Sequence, residues 1–113
     1  MESYMNRISN TGIVPVVKIL EKEDAYPLAK ALLNGGIDVI EVTYRSEHAT
    51  SAIQTISEQL SDMLVGAGTV LSVEQAKEAV QAGAKFIITP GFNTKVVQWC
   101  LDHDVEVYPG VST

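Results

Sequence analysis

An α/β chain of parallel strands in the order β-α-β-α-β-α-β-α-β is the fold class that the sequence predicts, and three observations predict it. Five short Val/Ile-rich runs lie at 13–19, 37–43, 63–67, 85–89 and 106–108, their starts recurring every 21 to 26 residues. Four stretches with apolar residues at helical spacing separate them. Each run is short and nearly all apolar, as strands covered on both faces are. Strands joined through helices run parallel, because only a hairpin brings the chain straight back antiparallel.

The 113 residues are 46% hydrophobic and 19% charged, which is enough apolar material for one domain with its own core and excludes a disordered chain. Eight Lys and Arg against 14 Asp and Glu give a formal charge of −6, so the surface carries no electrostatic footprint for nucleic acid or an anionic membrane. An anionic ligand has to be held locally. The single Cys100 makes no internal disulfide, and no cluster of Cys and His stands at metal-ligand spacing, so neither a disulfide framework nor a structural zinc site is expected. No apolar run reaches the roughly 18 residues of a membrane span. The first ten residues are too polar and acidic for a signal peptide. A soluble, cytoplasmic protein is the expectation.

A short helix is expected before the run at 13–19. After that run, Ala25, Leu28, Ala29, Leu32 and Leu33 follow i, i+3, i+4, i+7, i+8 up to Gly35 and Gly36, an apolar stripe with its stop signal. Following the run at 37–43, Ala49, Ala52, Ile53, Ile56 and Leu60 make the second stripe. Ser72 with Gln75 three residues on reads as a capping box opening the third helix, which Gly83 closes. Asn93 enters the fourth, whose apolar face is Val96, Val97, Cys100 and Leu101, with Trp99 beside it.

Two architectures share this order. A doubly wound sheet of five strands, holding a phosphate or carboxylate at residues 66–69, is complete at this length; a (β/α)8 TIM barrel takes roughly 200 residues or more, so the chain is about its first half. The chain ends at Tyr108-Pro109-Gly110-Val111-Ser112-Thr113, just past a strand and at the start of a loop, which favours the barrel.

The run at 37–43 holds the most informative residue. Side chains alternate along a strand, so Val39, Glu41 and Thr43 share one face while Ile40 and Val42 share the other. A carboxylate there is costly unless paired, and its pKa responds to desolvation or to a nearby cation, as a general acid/base requires. Glu41 therefore reads either as an acid/base or as the acid of a structural ion pair with Arg45 or Lys18. Arg45 lies just past the strand, at the end where parallel α/β folds bind ligands, and its fork suits a carboxylate or phosphate; a solvated arginine is the plainer account. Gly66-Ala67-Gly68-Thr69 reads as a turn whose glycines let backbone N–H groups approach an anion, with the Thr69 hydroxyl beside them. It is a poor dinucleotide fingerprint, since Leu71 takes the third small position. Pro90-Gly91 and Pro109-Gly110 put rigid turns at the same topological place. His48 and His103 have no metal-like or triad-like partners and read as surface helix residues.

Taken in order, Val14-Pro15-Val16-Val17, Ile40-Glu41-Val42-Thr43-Tyr44-Arg45, Val65-Gly66-Ala67-Gly68-Thr69-Val70-Leu71, Ile88-Thr89-Pro90-Gly91 and Tyr108-Pro109-Gly110-Val111-Ser112-Thr113 resemble the 2-keto-3-deoxy-6-phosphogluconate (KDPG) and 4-hydroxy-2-oxoglutarate (KHG) aldolases from about Ile8 onward. The resemblance implies a (β/α)8 TIM barrel, with residues 1–113 a single partial domain, the barrel's N-terminal portion. It implies a homotrimeric lyase of the Entner-Doudoroff type that uses neither metal nor cofactor. That enzyme reversibly cleaves a keto sugar acid phosphate to pyruvate and glyceraldehyde 3-phosphate through a Schiff base. On this resemblance Glu41 is the catalytic acid/base, Arg45 and Thr69 hold the pyruvyl carboxylate, and Pro90 and Gly91 line the site. Lys18 stands where relatives carry an aliphatic or basic residue.

The family's nucleophilic lysine lies on the sixth strand and its phosphate-binding loops follow the seventh and eighth, so the resemblance implies that residues 1–113 lack both and are inactive alone. Lys85 begins the fourth strand, at the end opposite the site. Unpaired edges at the first and fifth strands, with inward-facing apolar residues such as Val39 exposed, are expected to drive the half-barrel to a partner.

Overall fold

The computed structural model describes residues 4, 8, 14–91 and 93–109. The β-branched runs become β1 (Val16–Val17), β2 (Val39–Thr43), β3 (Leu64–Gly68), β4 (Phe86–Thr89) and β5 (Glu106–Pro109). The amphipathic stretches become α1 (Ala25–Asn34), which follows a 3-10 turn at Lys22–Asp24, then α2 (Ala49–Gln59), α3 (Val73–Ala82) and α4 (Thr94–Asp102). The helix expected ahead of β1 and the motif residues Gly110 to Thr113 lie outside the described residues, apart from Tyr4 and Ile8.

All neighbouring strands are parallel, and the sheet order is β1-β2-β3-β4-β5. A doubly wound sheet must reverse its order to place helices on both faces. Here the order never reverses. Ile40, Val42, Val65, Ala67 and Ile87 turn to one side of the sheet, where they share one core with Ala29 of α1, Ile53 of α2, Ala76 of α3 and Val96 of α4. The other side carries Val39, Leu64 and Phe86, covered by Tyr4, Ile8, Val14, Ile88 and Tyr108. A sheet wound in one direction, with helices outside and side chains filling the concave face, is the first half of a (β/α)8 barrel, and the doubly wound alternative is excluded.

Packing adjusts several of the expected elements. β1 shrinks from the expected 13–19 to two residues, because only Val16 and Val17 find register partners, Glu41 and Val42. Its outer edge is unpaired among the described residues, so Val16 is 47% exposed instead of covered on both sides. Val39, expected to be exposed on the open inner face, is fully buried, since Tyr4 and Ile8 fold back over it with Leu64 and Phe86. In α4 the buried residues are Val96 and Cys100, four apart, and Trp99 packs on the core. Leu101, placed on the apolar face from the sequence, is 64% exposed because it follows Cys100 a further 100° round the helix. Ser72 caps α3 as expected, accepting from Gln75 N at 3.2 Å. The Gln75 side chain reaches past the cap to Leu71 N at 2.7 Å, one residue beyond the usual capping-box partner.

The inner face is tight around Gly66. A Cβ there would lie 2.1 Å from the ring of Phe86, its register partner, which is 1% exposed and has nowhere to move. Gly66→Ala is expected to lower stability by about 1–3 kcal/mol, the usual range for overpacking, as read from the urea midpoint. Shrinking the ring with Phe86→Leu in the same chain should recover part of that loss. Strict additivity of the two changes would contradict the contact.

Candidate active site

Period-two alternation on β2 sends Val39, Glu41 and Thr43 to the concave face and Ile40 and Val42 to the helices. Glu41 faces Gly66 in register and is 8% exposed. Its carboxylate occupies the space that a side chain at Gly68 would need: a Cβ there would lie 1.8 Å from Glu41 Oε2. Both glycines of Gly66-Ala67-Gly68, at the end of β3, thus have a packing reason in side chains from neighbouring strands, Phe86 at the first and Glu41 at the second, besides the approach of backbone N–H groups to an anion expected from the sequence.

No hydrogen bond and no close ion pair reaches the Glu41 carboxylate among the described residues. Burial pushes its pKa above the ordinary carboxylate value, and the Arg45 charge offsets part of the rise from a distance. The structural pair with Arg45 or Lys18 is therefore not formed; Lys18 is exposed after β1.

Arg45 lies two residues past β2 and is exposed. Its loop is tied down on both sides: Tyr44 N donates to Gly68 O at 2.8 Å, and the Ser46 hydroxyl donates to Ile19 O while accepting from His48 N. Arg45 opens on a cleft shared with Tyr44, Ser46, Glu47, Thr50, Gln75 and Glu78. Thr69 follows β3, the next strand, with its hydroxyl 2.9 Å from that of Thr43. Glu41, Arg45 and Thr69 thus stand at the carboxyl ends of two adjacent strands. Pro90 and Gly91 lie at the same end one strand further on, both exposed, with Gly91 at a φ of 61°. Lys85 is exposed just ahead of β4, at the opposite end. His48 is half-buried at the start of α2, while His103 is exposed and stacks on Trp99 at 4.4 Å. Thr43 was not singled out from the sequence, although its place two residues after Glu41 already put it on the same face.

A sheet wound once, with an acidic residue buried at its carboxyl end beside an arginine and a threonine, has the layout of a TIM-barrel enzyme site. The family model described as KDPG and KHG aldolase matches residues 4–113, and the chain belongs to that family. It is 46% identical over 113 residues to the 2-dehydro-3-deoxy-phosphogluconate aldolase of Treponema pallidum, covering 100% of this chain and 54% of that protein. To the KHG/KDPG aldolase of Escherichia coli K12 it is 42% identical over 107 residues, which is 94% of this chain and 50% of that one. A crystal structure of KDPG aldolase from Legionella pneumophila, with pyruvate captured as a covalent carbinolamine intermediate, superimposes with a TM-score of 0.82 at 41% identity, covering 88% of this chain and 48% of its own. The chain spans about half the length of the curated relatives it matches.

The raised pKa of Glu41 sets the sign of a pH effect. Between the ordinary value of 4.5 and the raised value of the folded chain, the native state binds more protons than the unfolded state, so stability falls as pH rises through that window. Glu41→Gln removes the charge, so it is expected to raise the urea midpoint at about pH 7, with the gain fading below about pH 4.5. A midpoint lowered equally at both ends of that range would contradict desolvation as the cause.

Proposed function

We propose that this chain supplies the proton-transferring and carboxylate-holding part of a class I aldolase site. Its reaction is the reversible cleavage of 2-keto-3-deoxy-6-phosphogluconate to pyruvate and glyceraldehyde 3-phosphate, with 4-hydroxy-2-oxoglutarate, giving pyruvate and glyoxylate, as the related substrate. The observation that carries the reading is Glu41, a buried carboxylate with no hydrogen-bond partner among the described residues, at the rim beside Arg45 and Thr69. Family membership and the pyruvate captured in the Legionella pneumophila enzyme support it.

In this reading a lysine amine attacks the keto carbon, and Glu41 donates the proton with which the carbonyl oxygen leaves as water. The resulting carboxylate takes the proton of the C4 hydroxyl. The C3–C4 bond breaks, its electron pair enters the iminium to give an enamine, and the aldehyde departs. Glu41 returns the proton to C3, and water releases pyruvate. Arg45 and Thr69 hold the carboxylate of the pyruvyl part throughout, and Pro90 with Gly91 walls the rim. The lysine itself is not assigned to this chain, because all six lysines, at 18, 22, 30, 77, 85 and 95, are exposed, whereas a Schiff-base amine works from a desolvated position.

The test joins residues 1–113 to the unmatched second half of the Treponema pallidum relative. With pyruvate and borohydride, the chimera is expected to gain a trapped pyruvyl adduct while the 113-residue chain gains none. In the chimera, Glu41→Gln should lower kcat by about 10²–10⁴-fold, the usual contribution of acid/base catalysis. Arg45→Ala should mainly raise KM, by about tenfold or more, through loss of a charge-assisted contact. An adduct on the 113-residue chain, or equal losses of kcat with unchanged KM in both variants, would overturn these roles.

A further inference from the structure

The turn after β3 is tied to both neighbouring strands by threonine hydroxyls. Thr43, at the end of β2 and 1% exposed, donates from Oγ1 to Thr69 Oγ1 at 2.9 Å. Thr89, at the end of β4 and fully buried, donates to the Val70 carbonyl at 2.7 Å. Between these ties Thr69 has a φ of 54°, a left-handed conformation that is strained for a β-branched residue and persists only where the surroundings enforce it.

A hydroxyl carries one proton and two acceptor positions. The proton from Thr43 fills one acceptor position of Thr69 Oγ1, and the Thr69 proton has no protein acceptor among the described residues. That proton belongs to the residue after Gly68, whose missing side chain makes room for the Glu41 carboxylate. Thr89 reaches only backbone, so it fixes the path of the turn without setting the direction of the Thr69 hydroxyl.

We propose that Thr43 is a positioning residue of the keto acid site: its hydroxyl holds Thr69 in the left-handed conformation and turns the Thr69 O–H outward as a donor to the substrate carboxylate. Thr43 itself touches no substrate. The assignment rests on the reading of Thr69 as a carboxylate-binding residue, and it adds the group that makes Thr69 a donor.

The test uses the same chimera. Thr43→Val removes the hydroxyl at nearly constant volume and is expected to raise KM for the keto acid about tenfold, as the loss of a hydrogen bond to a charged group does, while kcat falls less than about threefold. Thr43→Ser, which keeps the donor, should return KM to within about twofold of the parent. In a Thr69→Val background, or Thr69→Ala if that chain fails to fold, adding Thr43→Val should change KM no further, since a group acting through Thr69 has nothing left to position. A Thr43→Val penalty of equal size in both backgrounds, or a Thr43→Ser variant as impaired as Thr43→Val, would overturn the assignment while leaving the aldolase reading intact. A parent chimera that traps no pyruvate overturns the aldolase reading and this assignment with it.

Discussion

A carboxylate on the concave face of a parallel strand needs a hole in the strand beside it. β3 provides that hole. Glu41 cannot lie where it does unless position 68 has no side chain, and Phe86 cannot lie where it does unless position 66 has none. Glu41 and Phe86 come from the two strands that flank β3, so the two glycines lock β2, β3 and β4 into one register. A slip of one residue would send Glu41 into the helix layer, where Ile40 and Val42 now pack. The rest of the site follows from that register, because it puts the ends of β2 and β3 side by side and lets Thr43 meet Thr69.

The outer layer serves the same geometry by being thin. The buried helix residues nearest the sheet include Ala25, Ala29, Ala49, Ala52, Ala76 and Ala79, small side chains that let each helix lie close against the β-branched residues of the strands. Every helix packs on the same side, so each crossover returns the chain one strand further in the same direction. Closure at the amino-terminal end of the concave face comes from Tyr4 and Ile8 folding over Val39, Leu64 and Phe86, with Tyr4 N donating to Glu106 Oε2 at 2.7 Å. Glu41, 8% exposed, lies toward the carboxyl-terminal end, its carboxylate against Gly68.

The site is a division of labour between strand and loop. Glu41 and Thr43 are on β2 itself and buried, so their positions are as rigid as the sheet; Arg45 and Thr69 are in the loops and reach their places through ties to strands, Arg45 by way of Ser46 and Tyr44, Thr69 by way of Thr43. In the proposed aldolase reading the rigid Glu41 suits proton transfer, which needs a fixed distance, and the tethered Arg45 and Thr69 suit the capture of a charged end that arrives from solvent.

Much of this was legible in the amino-acid order alone. Spacing of β-branched runs and apolar stripes gave five parallel strands and four helices, and period-two alternation put Glu41 and Thr43 together, because local periodicity is a property of the backbone itself. The five ordered motifs identified the family. The choice of a singly wound sheet over a doubly wound one came with the resemblance, and the sheet order bears it out; local pattern leaves it open, because an apolar stripe looks the same whichever face a helix takes. Two things were decided only by tertiary structure. The reason for Gly66 and Gly68 lies in Phe86 and Glu41, residues distant in sequence that occupy the space a side chain would fill. The partnership of Thr43 with Thr69 joins residues 26 apart across two strands, and a hydrogen bond of that kind leaves no trace in spacing, since it exists only once the sheet has set the register.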